Sequence, residues 1–180
     1  MAKAVWAYAE VKDGKLKKTA FELLSEGRRL ADELAGELAA VLLGSNIQGL
    51  IPELSRYGPD AVYLADQSDL AIYNGQVYAH VICEIVRQYQ PEILLFSATA
   101  QGRDLSPLVA AGLETGIASD CTQFFIENGE FRARRPVYAG KAFAEVVFQN
   151  FHPQIGQARP NVLQVIEHPR EPVGIRVSVQ

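Results

Sequence analysis

Between Phe96 and Leu105 the chain reads Ser97-Ala98-Thr99-Ala100-Gln101-Gly102-Arg103-Asp104. A hydroxyl, an amide, a guanidinium and a carboxylate are concentrated in this short span. Such a set suits recognition of a charged group; it lacks a nucleophile paired with a base. The apolar run Ile93-Leu94-Leu95-Phe96 precedes it and a helical apolar pattern over 105–114 follows. The loop therefore joins the carboxyl end of a strand to a helix, where open α/β sheets take their ligands. Asp104 is placed to accept from the free N–H groups of the helix it precedes, with Pro107 in the first turn. Two readings stand: the edge of a nucleotide or flavin site or a partner contact, and a helix cap with a surface ion pair.

A second segment, Tyr138-Ala139-Gly140-Lys141-Ala142, sets a glycine beside a lysine between two strands. Its backbone could approach an anion or a flavin, or it is a bulge with an exposed lysine. Arg132, Arg134 and Arg135 form the one basic cluster. On a strand Arg132 and Arg134 share a face and Arg135 takes the other, which suits a solvated or subunit-facing surface, with a ligand site as the alternative. His80 lies on a helical pattern and reads as packed or exposed. His152 falls in the loop Asn150-Phe151-His152-Pro153, and His168 is the third histidine. Cys83 and Cys121 show no CxxC or Cys/His spacing for a metal. No Ser/His/Asp set emerges, so neither hydrolytic nor metal catalysis is expected. The first strand–helix junction, Glu10-Val11-Lys12-Asp13-Gly14-Lys15-Leu16, lacks GxGxxG, and no Walker A sequence occurs.

The elements that must carry these residues alternate. A strand is expected over 3–9, with a turn at Asp13-Gly14. A helix follows, Thr19 and Glu22 standing at capping-box spacing and Phe21, Leu24, Leu30, Ala31 and Leu34 recurring on one face, with Gly36 as its end. The apolar run 38–43 stops at Gly44-Ser45-Asn46. Then come a short helix over 47–57, a strand over 61–65, and a helix over 74–89 with Val77, Val81, Ile82, Ile85 and Val86 as its stripe, broken by Pro91. The strand 93–96 and the helix 105–114 complete the alternation. Beyond 116 the pattern turns to strands: 121–127, a hairpin turn at Asn128-Gly129, 131–137, 142–149 and 154–159. Near-continuous apolar strands between amphipathic helices predict an α/β three-layer, doubly wound, mostly parallel sheet with an antiparallel strand extension near the C-terminus. Residues 1–164 form one domain. From 165 onward Pro169, Pro172 and Gly174 mark a linker or extended arm.

The chain has 180 residues, 48% hydrophobic and 21% charged, enough to bury a core without disulfides or metals. A net charge of −4 and a pI of about 5.4 exclude the basic footprint that nucleic acid requires. No apolar run approaches the roughly 20 residues of a membrane helix. Met1-Ala2-Lys3 runs directly into the first strand, with no signal peptide, and the cysteines are sparse. The expectation is a cytoplasmic, prokaryotic protein.

Taken in order, Val5-Trp6-Ala7-Tyr8-Ala9-Glu10 with Asp13-Gly14-Lys15-Leu16, Glu22-Leu23-Leu24 with Arg29-Leu30-Ala31, Pro91-Glu92-Ile93-Leu94-Leu95 leading to Gly102-Arg103-Asp104-Leu105, Thr115-Gly116-Ile117-Ala118-Ser119-Asp120-Cys121, and Arg135-Pro136-Val137-Tyr138-Ala139-Gly140-Lys141 carry a resemblance. Over residues 3–163 the chain resembles the N-terminal domain of the electron transfer flavoprotein alpha subunit. The resemblance implies an adenine nucleotide alpha hydrolase-like fold and a heterodimer with a beta subunit. That complex shuttles electrons from dehydrogenases to a quinone reductase or another acceptor, and in some members it bifurcates them. It further implies FAD in a C-terminal domain that these residues do not include, AMP or a second FAD in beta, and no cofactor or redox chemistry of the isolated domain's own. Lys141 departs from an asparagine common in the family. Arg103, Asp104, Tyr138 and Lys141 are the residues expected to face the beta subunit or its cofactor. The competing reading is a stand-alone adenine-nucleotide-binding α/β module of universal stress type; a third is a small α/β enzyme.

Overall fold

A computed structural model describes residues 3–149 and 151–177. Met1, Ala2, Asn150 and residues 178–180, part of the expected leader-free start, the His152 loop and the arm, lie outside the described residues. The first strand β1 (Ala4–Tyr8) is followed by a small hairpin, β2 (Val11–Lys12) and β3 (Lys15–Leu16), then α1 (Lys18–Glu33) and β4 (Glu37–Gly44). A 3-10 turn leads into α2 (Ile51–Ser55), followed by β5 (Ala61–Asp66), α3 (Gly75–Tyr89), β6 (Ile93–Ser97) and α4 (Ala100–Gly112). The strands β7 (Ile117–Cys121), β8 (Gln123–Glu127), β9 (Glu130–Val137), β10 (Ala142–Val147), β11 (Gln154–Ala158) and β12 (Val173–Arg176) complete the described chain.

Seven strands form one parallel sheet in the order β12-β5-β4-β1-β6-β11-β7. Its inner strands β4, β1 and β6 are apolar on both faces because both faces are covered. One face packs Val5, Ala7, Leu38, Leu42 and Leu95 against Leu23, Leu24 and Leu30 of α1. The other packs Trp6, Val41, Leu94 and Phe96 against Ile82 and Ile85 of α3 and Leu105 and Val109 of α4. Three layers result, as the alternation predicts.

Several local expectations are corrected. The chain stays extended through Lys17, and α1 begins one residue later, so Thr19 is buried in its first turn with no hydrogen-bond partner for its hydroxyl. Glu22 closes no capping box; its carboxylate accepts from the Asn161 backbone N–H at 3.0 Å. Ala35, not Gly36, takes the left-handed turn after α1 (φ 50°). Gly36 is required by proximity, since a Cβ there would lie 1.7 Å from the Lys3 carbonyl oxygen. Val77 is exposed rather than part of the α3 stripe.

Helix α4 starts at Ala100, five residues before the expected 105. Thr99 is its N-cap, its hydroxyl accepting from Gly102 N at 3.0 Å. Asp104 is therefore inside the helix rather than capping it, and Pro107 lies in its interior. The strand expected over 121–127 starts two residues later as β8, and an unforeseen strand, β7, precedes it, with Asp120 at φ 56° near its end. β7 belongs to the parallel sheet, while β8 turns away. The antiparallel strands form a separate sheet, β10-β9-β8, which lays Phe124, Phe131 and Phe148 on the α1 side of the core. Residues 166–177 lie against the domain: β12 adds a parallel strand beside β5.

Candidate functional site

The strand order reverses around β1, with β4 on one side and β6 on the other. The crevice beyond their carboxyl ends is the position where such sheets hold nucleotides. Here it is closed by Glu10, whose side chain is buried. The Glu10 carboxylate accepts from Lys17 Nζ at 2.9 Å and from the Thr99 hydroxyl at 2.5 Å. Gln101 Nε2 donates to the Tyr8 hydroxyl at 2.8 Å, and burial holds that phenol well above its ordinary pKa. A phosphate needs converging donors; at this point it would meet a carboxylate. The residues of the switch point do not fit a dinucleotide.

Arg103 and Asp104, adjacent in sequence, point to different partners. Asp104 accepts from the Tyr73 hydroxyl at 2.6 Å; burial, reinforced by that bond, raises the Tyr73 pKa. Arg103 is exposed and anchored by Nε, which donates to the Ala98 carbonyl at 3.0 Å. It borders a cavity of about 380 Å³ shared with Pro107, Ile117, Ser119, Asp120 and Gln157. Asp120 is gripped by Arg159 through two bonds of 3.0 and 2.7 Å. Those bonds, with the nearby charges of Arg103 and Arg135, hold the Asp120 carboxyl below its ordinary value. Arg135 Nη1 donates to the Ser119 hydroxyl at 3.1 Å.

Tyr138 and Lys141 occupy the tip of the β9–β10 hairpin. The opposite turn of the antiparallel sheet lies at the amino end of the parallel strands, where Lys3 Nζ donates to the Gly129 carbonyl at 3.2 Å. Strand β9 runs in the same sense as β7, with Arg135 reaching Ser119 and Phe148 lying against Gly116. Its tip therefore extends past the carboxyl end of the sheet, the same end as Arg103. The register leaves residues 135–137 paired with β10 alone. Tyr138, Ala139 and Gly140 all have positive φ (50°, 55° and 84°), and Tyr138 is 81% and Phe143 62% exposed. The four expected residues thus share one end of the molecule. No hydrogen bond or ion pair among the described residues joins Tyr138 and Lys141 to Arg103 and Asp104.

Sequence reasoning did not assemble Ser119, Asp120, Arg135 and Arg159. Their segments are distant in sequence, and only the insertion of β11 beside β7 brings Arg159 to Asp120. The one available signal was the opposite face assigned to Arg135: Arg132 and Arg134 pair with Glu145 instead. Cys83 and Cys121 are buried free thiols, burial pushing Cys121 up to about 11. His152 lies 3.5 Å from Glu92 at the amino end of the sheet, beside a cavity of about 660 Å³. Among the described residues no group of three or more His, Cys, Asp or Glu is arranged to hold a metal, and no helix is long and apolar enough to cross a membrane.

These features define a three-layer α/β domain with a closed switch point and a charged, aromatic end. The chain matches the electron transfer flavoprotein domain over residues 5–175 and belongs to that family. It is 43% identical over 166 residues to Protein FixB of Clostridium saccharobutylicum, covering 91% of this chain and 49% of that protein. It is 43% identical over 164 residues to the electron transfer flavoprotein subunit alpha of Clostridium acetobutylicum, covering 90% and 49%. It is 35% identical over 191 residues to the acryloyl-CoA reductase electron transfer subunit beta of Anaerotignum propionicum, covering 93% and 52%. The chain spans about half the length of the curated relatives it matches.

Proposed function

We propose that this domain is the non-catalytic base of an electron transfer flavoprotein alpha subunit. It docks a beta subunit at the carboxyl end of its sheet through Arg103, Asp104, Tyr138 and Lys141. In this reading FAD belongs to a further domain outside these residues, and AMP or a second FAD to beta. Electrons pass through the complex from dehydrogenases to an acceptor, while this chain holds and orients. The supporting observation is the end itself. A two-stranded arm carries Tyr138 and Phe143 into solvent, and neither Arg103 nor Lys141 has an ion-pair partner among the described residues. Exposed aromatics beside arginine are the composition of a protein interface. The Glu10 carboxylate at the switch point counts against the stand-alone nucleotide-binding reading.

The test is assembly. The chain alone and mixed with its beta subunit is examined by visible absorbance and by mass spectrometry of released ligand, and the dissociation constant is measured. Flavin or AMP is expected only with beta, and the Arg103→Ala/Lys141→Ala double variant weakens assembly at least tenfold. Unchanged affinity in that variant would remove these residues from the interface; flavin or AMP on the chain alone would replace the scaffold reading by a binding module.

A further inference from the structure

We propose that the cavity between α4 and the β7–β11 edge is an oxyanion site that takes the phosphate group of a small molecule, with Arg103 on its wall and Arg135 behind the lining residue Ser119, to which it donates. Arg103 is shared with the docking surface proposed above, and the chain without a beta subunit suffices to test the site. Three guanidiniums from three separate elements act on the Asp120 carboxylate, Arg159 through hydrogen bonds and Arg103 and Arg135 through their charge. Arg103 comes from the first turns of α4, Arg135 from β9, and Arg159 from the end of β11. Asp120 neutralises Arg159 through its paired bonds of 3.0 and 2.7 Å. Arg103 and Arg135 are left without an ion-pair partner among the described residues, so the cluster carries a surplus of two positive charges. Arg103 uses only Nε, on Ala98 O. Arg135 uses Nη1 on Ser119 Oγ, and its own Nε is buried without a partner. The unused guanidinium N–H groups and the Ser119 hydroxyl provide donors from more than one direction.

That arrangement favours a tetrahedral oxyanion over a planar carboxylate, which a single guanidinium fork satisfies, as Asp120 is satisfied by Arg159. The cavity, about 380 Å³, falls within the size range of small-molecule sites. It exceeds a bare phosphate, and the apolar faces of Pro107 and Ile117 line the remainder. It opens at the carboxyl ends of parallel strands, where ligands of open sheets collect, two strands away from the position that Glu10 closes.

The probe is inorganic pyrophosphate, with inorganic phosphate alongside, titrated into this 180-residue chain by calorimetry and followed by NMR. One site per chain is expected, weakening as potassium chloride is raised, with pyrophosphate bound more tightly than phosphate. Arg103→Gln and Arg135→Gln each weaken binding at least tenfold. Arg135→Lys, which keeps the charge and loses the fork, falls between parent and Arg135→Gln, and Arg87→Gln, at the opposite end of the sheet, binds as the parent does. Arg103 is exposed, so its variant keeps the test decisive if Arg135→Gln unfolds. The absence of binding at millimolar pyrophosphate, or binding equal in Arg103→Gln and the parent, would overturn the proposal.

Discussion

Asp120 holds its carboxylate on a left-handed residue, φ 56°, a conformation that asparagine and aspartate tolerate better than other side-chain-bearing residues. Asp120→Asn therefore tests the charge without disturbing the backbone. Hydrogen bonds from Arg159 lower the Asp120 pKa, so the ionised form is favoured by folding. The stabilisation is complete above the ordinary carboxylate pKa and is lost as pH falls through the depressed one. Because the pair is partly exposed, with side-chain exposures of 43% and 32%, Asp120→Asn is expected to cost about 1 kcal/mol at pH 7. Urea unfolding at neutral and acid pH checks this: the difference must shrink below about pH 4, and a difference constant with pH would assign the loss to something other than charge. Tyr138 and Lys141 were legible in the sequence as residues of an exposed connection, whereas Arg103 and Asp104, expected in a loop, lie in the first turns of α4. The grouping of Asp120 with Arg103, Arg135 and Arg159 was not legible, because these arginines come from α4, β9 and the end of β11.

Helix α4 shows how an element is placed by contacts its own pattern does not report. The apolar periodicity begins at Leu105, yet the helix begins at Ala100 because Thr99 caps it while also donating to Glu10. The first turn is pressed against the end of β6: a Cβ on Gly102 would fall 1.8 Å from the Ser97 carbonyl oxygen. The Gly102 carbonyl in turn accepts from Ser106 Oγ and from Gln157 Nε2 of β11. Backbone rather than a flexible side chain blocks the space. Gly102→Ala is accordingly expected to cost about 3 kcal/mol or more, read as a fall in the urea midpoint. A loss under about 0.5 kcal/mol, the range of neutral surface changes, would mean that α4 can shift away from β6.

At the scale of the molecule, the segment after 165 is held by a charged clamp. Asp60 accepts from the Leu38 backbone N–H at 2.9 Å and from Arg28 at 2.7 Å, and it pairs with Arg170 of the arm. Arg28 is buried, so removing Asp60 leaves a guanidinium with Asp32 as its one ion-pair partner among the described residues. Asp60→Ala is expected to destabilise the domain by about 3 kcal/mol and to speed proteolysis between 165 and 177 well before the rest of the chain. Equal cleavage rates in parent and variant would show that pairing of β12 with β5 suffices to hold the arm. A linker was the natural reading of Pro169, Pro172 and Gly174, since these residues break helices and central strands. An edge strand tolerates them on its flanks, and β12 lies at the edge.

By itself the sequence determined the layered α/β class, the positions of the main strands and helices, and the family. Those follow from periodicity and local chemistry: continuous apolar runs cannot be solvated, and amphipathic stripes must cover them. Only the tertiary structure decided which carboxylate closes the switch point, that the antiparallel strands leave the main sheet, and that Asp120 is held by Arg159 within the charge of Arg103 and Arg135. Each of these depends on strand order and on a turn at a single left-handed residue, and strand order is fixed by packing between segments that share no local signal.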